Sequence, residues 1–185
     1  MAQRKPLTLH SSGRLRRRLI RALGVKDMVC RVAKDQGDQK VLDDIAKFGW
    51  HCMHISAEGE QVGYSFTVGL FQTYGHPELV IFGLSSKVAH QILVIAADAA
   101  KSGTPLDLTQ PTEALLNDFS CCFAEVPRSN YYEYVGIARW YYEGNGFPLY
   151  QIVWPSRAGL FPWHHQATPE FKLAQPVIAR VPGYT

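Results

Sequence analysis

Hydrophobic and polar positions along the chain change period several times, and each change marks an element. Leu15, Leu19 and Leu23 recur at one-turn intervals among arginines, which predicts a short amphipathic helix that Gly24 stops. Asp38 is placed as the cap of a second helix, whose stripe is Val41, Leu42, Ile45 and Phe48 and whose end is Gly49. The pattern then turns β-like. Residues 50–57 and 61–70 read as two strands joined by the turn Glu58-Gly59-Glu60, and 78–84 as a buried third. From Ser85 or Ser86 to about Lys101 runs an alanine-rich helix, apolar nearly all round and so expected to be largely covered. A short helix after Thr112, a strand over 119–126, a tyrosine-rich helix from Ser129 to about Glu143 and a strand over 149–154 complete the reading. Strands cluster first and later alternate with helices. This predicts an α+β fold: a central, mainly antiparallel sheet with two or three covering helices.

Composition adds a domain organisation. The chain has 185 residues, of which 46% are hydrophobic and 19% charged, enough for one globular domain with an appendage. Residues 1–26 hold eight of the 19 lysines and arginines and no acid, so a basic arm precedes a body whose remaining 11 basic residues face 16 acids. The expected division is a basic arm over 1–37, a globular domain over 38–167 and a proline-containing, loosely packed tail over 168–185. No apolar run is long enough to cross a bilayer, and no secretory signal pattern opens the chain. Cys30, Cys52, Cys121 and Cys122 form no C-x-x-C pair and read as reduced thiols of a cytoplasmic protein.

Several motifs occur in a set order: Gly49-Trp50, Tyr64-Ser65-Phe66-Thr67-Val68-Gly69-Leu70, Gly75-His76-Pro77-Glu78-Leu79, Phe82-Gly83-Leu84, and Gln151-Ile152-Val153-Trp154-Pro155 followed by Phe161-Pro162-Trp163. Over residues 38–165 the chain resembles the bacterial family called domain of unknown function 4262. The resemblance implies a compact domain. It implies no substrate, cofactor or catalytic residue.

Candidate chemistry follows from residue types and placement. His51 and His54 stand in a His-x-x-His spacing, but strand alternation sends them to opposite faces, so no joint metal site is expected. Cys52 and His54 share a face, and a third group such as His164 would have to come from afar. In the 71–78 loop, His76 is held extended by Pro77 and offers an acid–base or anion-binding group, with Glu78 as its orienter. Thr67 and Gly69 end a strand where a ligand can approach closely, and Tyr74 joins the rim. Tyr132 and Arg139 share an outward helix face suited to a flat ligand or a partner. Trp154, Trp163 and His164 complete the ligand-binding candidates, although Trp154-Pro155 and Phe161-Pro162-Trp163 read most simply as a hairpin-like lid whose rings cover the core. Each group also has an ordinary structural reading: core packing, loop shaping or a covered sheet.

No nucleotide loop, nucleophile elbow or activated cysteine is present, and no catalytic residue is assigned. The primary reading is a binding or interaction module acting on a protein or small-molecule partner through the aromatic surface and the 71–78 loop, with no cofactor. Two alternatives stand beside it. One is a cofactor-binding enzyme, flavin-type by analogy with split-barrel sheets. The other is a nucleic-acid-associated protein that contacts phosphates through Arg14, Arg16, Arg17, Arg18 and Arg21.

Overall fold

A computed structural model describes residues 31–181. The arginine-rich arm, its helix, its nucleic-acid reading and Cys30 lie outside the described residues, as do residues 182–185.

Helix α1, Gln36–Phe48, starts one turn earlier than the pattern suggests. Asp35 has the extended backbone of a cap, and its Oδ1 accepts from the Asp38 N–H at 2.9 Å. Asp38 instead lies in the first turn, where its charge faces the positive helix end. Strands β1, His51–Ile55, and β2, Tyr64–Val68, pair antiparallel from His51↔Val68 to Ile55↔Tyr64, with Glu58 bridged to Gln61 across the turn. β2 ends before Leu70. Gly69 takes the left-handed region at φ 105°, and Leu70–Tyr74 coils into a one-turn helix, α2.

Strand β3, Glu78–Phe82, is buried along its whole length. Helix α3, Ser86–Lys101, follows the cap Ser85, whose hydroxyl accepts from the Val88 N–H. Its buried residues, Ala89, Ile92, Leu93, Ala96, Ala97 and Ala100, make one stripe, while Ile95 is 41% exposed. The helix is therefore covered on one side, not nearly all round.

The expected helix after Thr112 is instead strand β4, Thr112–Leu116, paired antiparallel with β5, Phe119–Glu125. The Asn117-Asp118 link, with Asp118 at φ 65°, supplies a tight turn, and strand pairing overrides the helical preference of Glu-Ala-Leu-Leu. The tyrosine-rich segment is also discontinuous. A 3₁₀ turn, Arg128–Asn130, leads into α4, Tyr131–Tyr134, and a break at buried Val135 separates it from α5, Gly136–Tyr141. A β-branched residue followed by glycine is a weak place to continue a helix. Strand β6, Leu149–Val153, then inserts between β3 and β5, parallel to the first and antiparallel to the second.

The sheet order is β1-β2-β3-β6-β5-β4, with four antiparallel pairs and one parallel pair. This α+β sheet has β1 and β4 at the two ends of its strand order. Alternation along the strands divides the core into two layers. Phe66, Val80 and Leu149 face Val41 of α1 and Tyr131, Val135 and Ala138 of the α4–α5 segment. Leu79, Ile81 and Ile152 face Ile92, Leu93 and Ala96 of α3.

The tail is not loose. Helix α6, Pro169–Ala174, is capped by Thr168 and runs into Gln175, which is fully buried. The Gln175 carboxamide accepts from the Trp154 N–H at 2.9 Å and donates to the Trp154 carbonyl at 2.8 Å. Gln151 reciprocates from β6, donating to Pro176 O and accepting from Ile178 N–H, each at 2.9 Å. Gly83, at φ 75°, lets the Ala174 carbonyl approach so closely that a Cβ there would run into its oxygen. Among the described residues no helix is long and apolar enough to cross a membrane.

Candidate functional site

The β2–α2–β3 turn gathers three of the residues singled out from sequence, but they are turned toward one another. Glu78 is fully buried at the start of β3. Its Oε1 accepts from the Gly69 N–H at 2.9 Å, the Phe71 N–H at 3.1 Å and the Tyr142 hydroxyl, and its Oε2 accepts from Thr67 Oγ1 at 2.5 Å. Thr67 Oγ1 in turn accepts from the Leu79 N–H at 2.9 Å. Burial raises the Glu78 pKa above the ordinary carboxylate value, with the four donors opposing the shift. Burial, and then the neighbouring Glu78 carboxylate, raise that of Tyr142. This closed polar knot holds the strand-to-helix turn, with four protein donors directed at the Glu78 carboxylate.

His76 and Glu78 do not form the expected pair. The His76 ring is buried, its Nδ1 lies 2.7 Å from Pro77 O, and its Nε2 has no partner. Burial lowers its pKa, against the opposing bond to Pro77. Tyr74 donates its hydroxyl to Phe48 O at 3.0 Å, tying α2 to the end of α1.

Trp154 does not join Thr67, Gly69 and His76. Because β3 and β6 run parallel, with Glu78 opposite Leu149, Trp154 stands at the far end of the strands. There its indole N–H donates to Phe82 O at 2.9 Å. Trp163 stacks on Phe161 at 4.8 Å, and His164 packs against His165 at 4.4 Å. Trp163 borders a shallow depression of about 550 Å³ that reaches Val181, where the described residues end. Tyr132 is 80% exposed with the Arg139 guanidinium 5.1 Å from its ring centre, and Arg139 also donates to Asn145 Oδ1 at 2.7 Å. The expected ligand surface is thus divided among four places.

A different site lies along edge strand β1, between α1 and α3. A groove of about 370 Å³ is lined by Phe48, Trp50 and Val94 as its apolar walls. Polar groups converge on it from both helices: Lys40 and Asp44 from α1, and His90, Asp98 and Lys101 from α3, with His51 and Cys52 on the strand. His51 Nδ1 and Lys40 Nζ both meet Asp44 Oδ2, at 2.7 and 2.8 Å. Burial works the other way, but these two bonds hold the Asp44 carboxyl below its ordinary value.

Beside this groove, and sharing Cys52 and His90 with its lining, Cys52, His54 and His90 converge, with one ligand-type atom from each within 4.8 Å of the others. Alternation works as the sequence implies: His51 turns to Asp44 on α1, while Cys52 and His54 face α3. Burial pushes the Cys52 thiol up to about 12. Burial, then the neighbouring His90 and His51, lower the His54 pKa. The third member is His90, not His164. Only the Cys-x-His spacing signals this cluster in the sequence, because the partner comes from a helix whose packing on β1 is a tertiary event.

An open α+β sheet with helices on both faces and a groove along one edge defines the class of this molecule. The chain belongs to the family described as Domain of unknown function (DUF4262), whose model matches residues 44–168. That span contains Glu78, Cys52, His54 and His90, and ends before α6. No curated protein and no solved structure matches the chain.

Proposed function

We propose that this domain is a binding module for a small organic molecule with a flat apolar body and charged ends, held in the groove between α1 and α3. The observation that carries the reading is the lining of that groove. Phe48, 50% exposed, Trp50 and Val94 offer apolar surface, while Lys40, Lys101, Asp44 and Asp98 offer charge of both signs around it. Concavity, aromatic walls and a few converging polar groups are what small-molecule sites share. The groove also explains exposed apolar surface on Phe48 that no core layer claims. The 71–78 loop is a poorer candidate, since Glu78 and His76 are buried and the Glu78 carboxylate already accepts from four protein donors.

Native mass spectrometry of the full chain purified from cells tests this reading, compared with Asp98→Trp, which fills the groove from an exposed position. The wild type is expected to carry a non-metal mass excess that the variant lacks. Bare masses for both, with no thermal shift of the wild type across a panel of small charged aromatic metabolites, would sink the proposal.

A further inference from the structure

Apart from the groove's lining, the Cys52, His54 and His90 side chains carry a chemistry of their own. Thiolate and imidazole together form the donor set of borderline-soft first-row ions. Cys52 Sγ and His54 Nε2 are 3.6 Å apart. Two ligands sharing a tetrahedral ion, with bonds of about 2.3 Å to sulfur and about 2.0 Å to nitrogen, stand about 3.6 Å apart. The first pair therefore already has the required separation, and His90 lies within 4.8 Å of both.

The surroundings orient the ligands. Ser65 is the cross-strand partner of His54, and its hydroxyl lies 2.7 Å from His54 Nδ1. That bond occupies one ring nitrogen and leaves Nε2 directed at Cys52, the arrangement that outer partners of metal-bound histidines provide. Trp50 stacks on His90 with ring centres 6.3 Å apart, and the His54 and His90 rings lie 5.7 Å apart. No comparable set exists elsewhere among the described residues.

We propose that Cys52, His54 and His90 bind a divalent transition ion of the zinc class, with Ser65 as a positioning residue. Three protein ligands leave a fourth position open, and the exposure of both imidazoles leaves room for water there. Binding converts the Cys52 thiol to a metal-bound thiolate and releases one proton to solvent, so affinity rises with pH. Cys52 and His90 also line the groove, so the open position can take a donor atom of the groove's ligand. That last link rests on the binding reading above; the metal site does not.

The experiment is a cobalt(II) titration of the chelator-stripped full chain, followed by zinc displacement. One equivalent is expected, with a thiolate-to-cobalt charge-transfer band and the intense visible bands of a tetrahedral ion. Cys52→Ser abolishes the charge-transfer band. His54→Ala and His90→Ala, both at exposed positions, weaken binding at least tenfold. Ser65→Ala weakens it roughly tenfold and Ser65→Thr restores it. Zinc slows alkylation of Cys52 in the wild type, an effect that needs no variant. Cys30→Ser and His164→Ala leave the cobalt spectrum unchanged, and the groove's ligand is read separately, as a non-metal mass excess by native mass spectrometry. Absence of the charge-transfer band, its loss in Cys30→Ser, or its survival at full affinity in His90→Ala would overturn the proposal.

Discussion

At the scale of single residues, the molecule uses polar side chains to hold backbone. Thr67 is fully buried, donating to Glu78 and accepting from the Leu79 N–H. Thr67→Val keeps the shape but strands both partners, and is expected to cost roughly 2–4 kcal/mol, read from urea unfolding. His76 sets a pH dependence. Burial depresses its folded pKa below the unfolded value of 6.5, so the neutral ring is the folded form. Its contribution is intact above 6.5 and is lost as pH falls from there to the folded pKa, because over that range the unfolded chain binds a proton that the folded ring does not. His54 acts with the same sign, so the test is a comparison. Between pH 8 and 5.5 the urea midpoint of His76→Phe should fall less than that of the wild type, and equal falls would refute the assignment. From the sequence, His76 and Glu78 are both recognisable as unusual loop residues. Their inward orientation is not, because it depends on Tyr142, more than sixty residues away, reaching the same carboxylate.

At the scale of elements, the period of the pattern marks α1, β1, β2, β3, α3, β5 and β6 close to their observed bounds. The departures share a cause, which is that partners distant in sequence decide. β4 is a strand because β5 folds back on it through the Asn117-Asp118 turn. The 168–181 segment is ordered because Gln175 and Gln151 exchange hydrogen bonds with backbone across the gap between β6 and the tail. Gln175→Leu would leave the Trp154 N–H and carbonyl unpaired. An expected loss of roughly 2–4 kcal/mol should come with faster proteolytic cutting between residues 169 and 181. Unchanged cutting would mean that α6 is held by Phe171 packing on Trp154 instead.

At the scale of the whole molecule, the sheet separates two apolar layers that share few side chains. Ile92 belongs to the α3 layer and Val126 to the other. Ile92→Val should cost about 1 kcal/mol and Val126→Ala about 2 kcal/mol. Because the sites lie on opposite faces, the double variant should cost the sum to within about 0.5 kcal/mol. A larger coupling, measured in the same denaturation series, would show that the layers yield together through the strands. The groove and the Cys52–His54–His90 cluster also belong to this scale. Both exist only where α1 and α3 flank β1, the strand that closes one edge of the sheet.

The sequence by itself determined the α+β class, the hairpin of β1 and β2, the buried character of β3, and the opposite facing of His51 and His54. These follow from periodicity, turn residues and strand alternation, which act over a few neighbouring residues. Only the tertiary structure decided that Glu78 is enclosed, that Trp154 stands at the far end of the sheet from it, and that His90 rather than His164 meets Cys52 and His54. The parallel insertion of β6 beside β3 and the packing of α3 across β1 set those relations. Both depend on which distant surfaces bury apolar area together, and no local pattern encodes that pairing.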